Sequence, residues 1–263
     1  MATLPIYQVD AFTENVFEGN PAAICPLQEW LPEDLMQKIA MENNLAETAF
    51  IVPYEDAFHI RWFTPAVEVA LCGHATLAAA HCFYEHMGYD QESIRFFSQS
   101  GWLTVNRKHN GQLTLDFPAD HATVVSIPPD AVFEGLGIKD CTVYRGKFDY
   151  LVEINSEAGV AGLKPDFRKL STLDSRGILV TAKGEQVDFV SRCFFPQSGI
   201  DEDPVTGSAH CLLTTYWHHK TGKTVFNAIQ LSARKGKLEC ELKGDRVLMT
   251  GSAKTYLKGE IYI

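Results

Sequence analysis

One pattern occurs twice in this chain, and it constrains the fold more than anything else. Arg61-Trp62-Phe63-Thr64-Pro65 leads through a loop to Gly73-His74-Ala75 and a helical run that ends near Gly88. Arg192-Cys193-Phe194-Phe195-Pro196 leads through a loop to Gly207-Ser208-Ala209 and a helical run that ends near Gly222. The second copy has three more residues between its proline and its glycine. Self-similarity of this kind implies two similar halves. Both helical runs carry few polar residues on any face, which marks helices buried all round. Strand patterns surround them, at residues 4–12, 22–25, 49–52, 57–63, 94–97, 102–106 and 113–117 in one half. Residues 187–195, 229–232, 238–242, 246–249 and 255–263 supply the other. A flat sheet cannot cover a helix on every side, so each half is expected to curl into a closed or nearly closed sheet. The expectation is an α+β chain of two pseudo-symmetric halves, 1–120 and 121–263, each a β-barrel-like sheet around a central α-helix. Pro118, Pro128 and Pro129 bracket the boundary.

Composition narrows the partners. The net charge is −10 over 263 residues. With no basic stripe, nucleic acid is excluded as a partner, since that needs clustered Lys and Arg. No run approaches a membrane span and no charged n-region with an apolar h-region is visible, so no membrane partner is expected. The cysteine count is seven, and no Cys-x-x-Cys occurs. That argues for reduced thiols and a cytoplasmic location. Neither a Gly-x-Gly-x-x-Gly nor a P-loop appears, so a nucleotide cofactor has no support and none is expected.

The candidate chemistry gathers near the two helix entrances. A helix N-terminus presents unpaired N–H groups and attracts anions. The loop before Gly207 carries Asp201, Glu202 and Asp203. Asp203 precedes the stiffening Pro204 and is expected to be functional, while Asp201 and Glu202 read as solvated. His74 at the first turn is expected to be neutral, because the helix N-terminus disfavours an imidazolium. Ser208 in the matching place could cap the helix, serve the site, or both. Without a Gly-x-Ser-x-Gly elbow a serine hydrolase is disfavoured. Glu47 stands among Leu45, Ala46, Ala49 and Phe50, and could be a rim carboxylate or a proton-exchanging group. Cys72 at a helix entrance could be a thiolate or a buried structural thiol. Its adjacency to His74 argues against a Cys–His hydrolase. His81, Cys82 and His86 do not share one helix face, so no metal site is expected.

Several ordered blocks together resemble the PhzF-like family, named for phenazine biosynthesis. They are Val9-Asp10-Ala11-Phe12, Phe17-Glu18-Gly19-Asn20-Pro21, Asn44 to Phe50, Arg61 to Pro65, Cys72-Gly73-His74-Ala75-Thr76 and Glu202 to Ala209. The resemblance implies a diaminopimelate-epimerase-like fold with an active site in the cleft between the halves. It implies an isomerase that shifts a proton between carbons of a small carboxylate-bearing substrate, without a cofactor or metal. It assigns Glu47 as the acid/base, with His74 and Asp203 beside it as catalytic partners and Ser208 as a further site residue. Gly73 and Gly207 match positions whose backbone approaches substrate. Family membership also implies a homodimer. Epimerases of this fold use two cysteines; here Cys72 lies near the first position but Asp203 near the second. The rival readings are an amino-acid epimerase or racemase pairing Cys72 with a carboxylate, and a catalytically silent binding protein on the same scaffold.

Overall fold

Strand β1 (Thr3–Ala11) begins the computed structural model, which describes residues 3–139 and 141–263. It pairs antiparallel with β2 (Asn20–Pro26), Tyr7 opposite Ile24 and Ala11 opposite Asn20. Helix α1 (Glu33–Asn43) follows Pro32, with Glu33 and Asp34 in its positive first turn, and ends on a left-handed Asn44. It returns the chain so that β3 (Glu47–Tyr54) runs parallel to β2, Ala22 opposite Glu47. Strand β4 (Ala57–Phe63) turns back on β3, and the short β5 (Glu68–Val69) pairs with the end of β4. After the buried α2 (Gly73–His86) come β6 (Ser93–Ser98), parallel to β4, then β7 (Gly101–Arg107) and β8 (Leu113–Pro118).

The same sequence of pairings recurs downstream. Strand β9 (Thr123–Val124) and helix α3 (Asp130–Leu136) lead to β10 (Val143–Arg145), which is antiparallel to β11 (Asp149–Glu153). Short helices α4 (Glu157–Gly162) and α5 (Phe167–Leu170) stand where α1 stood, and β12 (Gly177–Lys183) runs parallel to β11. Strand β13 (Phe189–Phe195) is antiparallel to β12 and pairs with the short β14 (Ile200–Asp203). Helix α6 (Gly207–Thr221) is followed by β15 (Val225–Gln230), parallel to β13, then β16 (Gly236–Lys243) and β17 (Arg246–Gly251). The equivalence holds residue by residue at the helix entrances: Trp62 faces Val69, and Cys193 faces Asp203.

Each central helix is wrapped by its own strands. Helix α2 packs against β1, β2, β3, β7 and β18 (Ala253–Tyr262), and its residues from His74 to Ala80 are all buried. Helix α6 buries Ala209, Leu212, Leu213, Tyr216 and Trp217 against Leu151, Leu179, Phe189, Phe195 and Phe226. Each large apolar side chain so enclosed contributes about 1.5–3 kcal/mol. Strand β12 is buried from Gly177 to Ala182 because both its faces are covered. Leu179 faces the α6 cluster, while Ile178, Val180 and Ala182 pack with Val132, Val160 and Leu170 of α3, α4 and α5.

The last strand departs from the expected division at 120/121. Strand β18 pairs with β1 from Thr3 opposite Tyr262 to Ala11 opposite Ala253. The chain therefore divides into Met1–Asp116 with Thr250–Ile263, and Phe117–Met249. Strand β1 has a free edge that the strand after the second half fills, a pairing no local signal encodes. Among the described residues no helix is long and apolar enough to cross a membrane.

Two histidines, His210 buried and His81 half-buried, set an acid limit. His210 holds its Nδ1 2.8 Å from the Thr206 carbonyl, which makes Nδ1 the protonated nitrogen. Burial lowers the His210 pKa to about 4, and burial likewise lowers His81 to about 4. An unfolded histidine titrates near 6.5. The stability gained by keeping these rings neutral is full above that value and is lost as pH falls from about 6.5 towards 4. His210→Gln is expected to flatten the fall in unfolding free energy between pH 6.5 and 5.5 by up to about 1.4 kcal/mol per pH unit. Urea titrations across that range check it, and an unchanged slope contradicts it.

Candidate active site

Glu47, the first residue of β3, and His74, the second residue of α2, meet directly. Glu47 Oε2 lies 3.0 Å from His74 Nε2. The imidazole is buried and the carboxylate nearly so, with side-chain exposures of 6% and 12%. On the other side of the ring, Nδ1 lies 3.1 Å from the Asn20 amide Nδ2 and 3.5 Å from Cys72 Sγ. An amide N–H facing Nδ1 leaves that nitrogen as the acceptor in the neutral ring. The proton then sits on Nε2, the nitrogen 3.0 Å from Glu47 Oε2.

Asn20 is set by a stiff loop. Phe12, Phe17 and Gly19 all have positive φ. At Gly19 a Cβ would come within 2.2 Å of the Ala11 carbonyl oxygen, so only glycine fits there. Asp10 Oδ2 accepts the Phe17 N–H at 2.9 Å, and Thr13 Oγ1 donates to Glu18 at 3.2 Å. In the sequence Asn20 stands only as one residue of the Phe17–Pro21 block, and nothing local marks it as a partner of His74.

The electrostatics correct one expectation and decide one open choice. His74 was expected to be held neutral by the helix N-terminus. Burial does oppose its charge, but the neighbouring Cys72 sulfur and Glu47 carboxylate outweigh burial and hold its pKa well above the ordinary range. Cys72 is not a thiolate: burial first, then the Glu47 charge, push its thiol up to about 11. At neutral pH the sulfur keeps its proton, so the anionic group that faces the ring there is Glu47. Nor does adjacency keep Cys72 from His74, since the turn from extended Cys72 into α2 folds the sulfur back onto the ring.

Cys72, His74 and Glu47 donor atoms lie within 4.8 Å of one another, a set that could hold a metal ion. Glu47 faces Nε2 and Cys72 faces Nδ1, and one ring nitrogen alone can ligate a given ion. The arrangement suits proton passage across the ring better than shared ligation. His81 and His86, dismissed as a same-face pair, do converge: their Nε2 atoms lie 2.9 and 2.8 Å from Thr255 Oγ1. Helical spacing missed this because the hydroxyl they share comes from β18.

The other candidates lie in the second unit. Gly207, not Ser208, opens α6, and Thr206 takes the cap position. Ser208 therefore caps nothing; its Oγ accepts from Arg176 Nη1 at 2.9 Å. Asp203 ends β14 rather than lying in an open loop, and its Oδ2 accepts from Thr206 Oγ1 at 2.6 Å. Gln230 pins that turn, donating to the Asp203 carbonyl at 2.7 Å and accepting the Thr206 N–H at 2.9 Å. Glu202 is not a solvated acid, because Arg192 grips it at 2.7 and 2.8 Å; Asp201 is exposed. The same grip occurs in the first unit, where Arg61 holds Glu68 at 2.7 Å through two nitrogens. Glu68 stands five residues before Gly73 and Glu202 five before Gly207, so the repeat contained this signal. Gly73 and Gly207 begin helices whose cap residues, Cys72 and Thr206, make no side-chain cap hydrogen bond. The positive ends of α2 and α6 thus lack the usual capping acceptor.

Ring nitrogen-15 shifts test the His74 assignment. The ring is expected to titrate above 6.5 and, on losing a proton, to leave Nε2 protonated. Asn20→Leu removes the preference for that nitrogen. A neutral ring protonated at Nδ1 in the unaltered protein contradicts the arrangement.

Comparison with known proteins agrees with this architecture. The model of the family described as phenazine biosynthesis-like protein, PhzC-PhzF, matches residues 9–259. An uncharacterized isomerase of Halalkalibacterium halodurans is 48% identical over 267 residues, covering 100% of both chains. The crystal structure of a PhzF family protein from Enterococcus faecalis superposes with a TM-score of 0.96 at 46% identity, covering 100% of each chain. A hydroxyproline epimerase from Agrobacterium vitis has a TM-score of 0.62 at 9% identity over 98% of this chain and 92% of its own, a likeness of fold alone. The chain belongs to the PhzC-PhzF family, and is an isomerase with the diaminopimelate-epimerase-like fold.

Proposed function

We propose that this isomerase moves a proton between two carbons of a small carboxylate-bearing substrate, using Glu47 as its acid and base and no cofactor. The observation that carries the reading is the 3.0 Å contact of Glu47 Oε2 with His74 Nε2 at the head of a buried helix. A carboxylate so placed can take a proton from carbon at one oxygen while the other faces the ring N–H. His74 steadies the charge on Glu47 before the transfer and supplies a proton route through its ring afterwards. The apolar neighbours Ala49, Phe50 and Ala75 are fully buried, a setting that limits protonation by stray water. The uncapped starts of α2 at Gly73 and α6 at Gly207 suit the carboxylate and the charge that develops on a carbanion-like intermediate. Asp203 and Ser208 enter as substrate-orienting groups.

The thiol-base reading has less support. With its pKa near 11, Cys72 offers little thiolate at neutral pH. Alignment of the repeat on its two glycines puts Thr206, not Asp203, opposite Cys72, so the two-base symmetry is lost.

A panel of cyclic amino acids and unsaturated ring acids in deuterated water, followed by NMR, identifies the exchanging carbon. Glu47→Gln is expected to slow deuterium incorporation by at least about 100-fold with binding retained. Undiminished exchange in that variant means another base. A loss in Cys72→Ser as deep as in Glu47→Gln favours the thiol, and a ligand that binds without any C–H exchange favours a silent binding protein.

A further inference from the structure

We propose that Arg176 is a positioning residue that turns the Ser208 hydroxyl proton away from itself and toward the substrate's carboxylate. This rests on the proton-transfer reading above, and extends it to a residue that no motif marks. The guanidinium is fixed on three sides. Its Nε donates to Asp149 Oδ1 at 2.9 Å, and Nη2 donates to Asp149 Oδ2. Asp149 is 2% exposed, so the pair is anchored from inside the sheet. Phe148 and Phe195 place their ring centroids 5.4 and 5.3 Å from the guanidinium carbon. The backbone joins in, with Arg176 N–H donating to the Phe148 carbonyl at 2.9 Å. Gly177 permits this, because a Cβ there would meet the Phe195 ring at 2.2 Å.

One nitrogen remains, and Nη1 donates to Ser208 Oγ at 2.9 Å. A guanidinium is a donor only. Ser208 must accept from it, which leaves the hydroxyl proton to be donated elsewhere. Ser208 sits in the first turn of α6, whose cap position supplies no acceptor for the first N–H groups. A hydroxyl whose proton is turned away from the guanidinium, at a helix start without a side-chain cap, favours an anionic oxygen. An unrestrained serine could rotate and present its lone pairs, and would lose that selection.

The first unit supports the same logic. His74 and Ser208 both directly follow the glycine that opens a buried helix. Asn20 at the start of β2 acts on His74, and Asp149 at the start of β11, the equivalent strand, acts on Ser208 through Arg176. In each case a buried polar group at a strand start fixes the role of the helix's second residue.

Benzoate, a stable unsaturated ring carboxylate, is the probe, with binding to the full chain measured by calorimetry. Arg176→Lys keeps the charge but cannot span Asp149 and Ser208 together. It and Ser208→Ala are each expected to weaken benzoate about tenfold, and their combination no further. The joint replacement Arg176→Met with Asp149→Leu, which strands no buried charge, gives the same loss if Arg176→Lys folds poorly. Unaltered affinity in Arg176→Lys overturns the proposal. So do losses that multiply in the combination, since Arg176 would then act independently of Ser208, and so does an absence of benzoate binding in the unaltered chain. Glu47→Gln is expected to bind benzoate normally, so failure of the base assignment appears in exchange and failure of the present proposal in binding.

Discussion

A helix with no polar face has to be covered on every side, and this requirement shapes both halves of the protein. Helices α2 and α6 meet it by wrapping strands around themselves. Full cover buries nearly all of the helix surface but leaves its ends. At the amino-terminal ends the backbone N–H groups have no helical partner, and neither cap residue supplies a side-chain acceptor. The packing that stabilises each half thus also produces a positively polarised spot at the head of its central helix. Glu47 and His74 stand at one of these, Ser208 and Arg176 at the other.

Much of this was legible in the residues. The repeated frame of Arg61 to Gly73 and Arg192 to Gly207 announced the two halves, and the apolar runs after each glycine announced the buried helices. Those signals are local and periodic, so they survive in a bare sequence. The misplacements share a cause. Asn20, Arg176, Asp149 and Gln230 act across strand registers or between strand and helix, and no spacing along the chain encodes which side chain reaches which. Thr255 drawing His81 and His86 together is the same case, with a partner more than 160 residues away. Helical geometry correctly says that residues five apart diverge, but long side chains can be gathered by a third group.

The charge arrangement was harder to foresee for a different reason. A helix N-terminus disfavours a cation, and that argument alone made His74 neutral. Burial adds to the same side. Burial is the largest single influence, and the Cys72 sulfur and the Glu47 carboxylate outweigh it only together, their attraction being poorly screened away from water. The carboxylate's share depends on the parallel register of β2 and β3, which sets Glu47 beside the ring. The same burial raises the Cys72 thiol, so one environment favours a charged imidazole and a neutral thiol a few ångströms apart.

The pairing of the first strand with the last gives the two units different histories during synthesis. Phe117–Met249 is one unbroken stretch, so the strands of that unit follow one another along the chain without β18 between them. The other unit keeps an open strand edge along Thr3–Ala11 until Ala253–Tyr262 arrives. Helix α2, which packs on both strands, is fully covered only after the same event. The half that carries Glu47 and His74 thus closes only when a segment more than 240 residues away along the chain returns to it, and until then Thr3–Ala11 is an adhesive edge to protect.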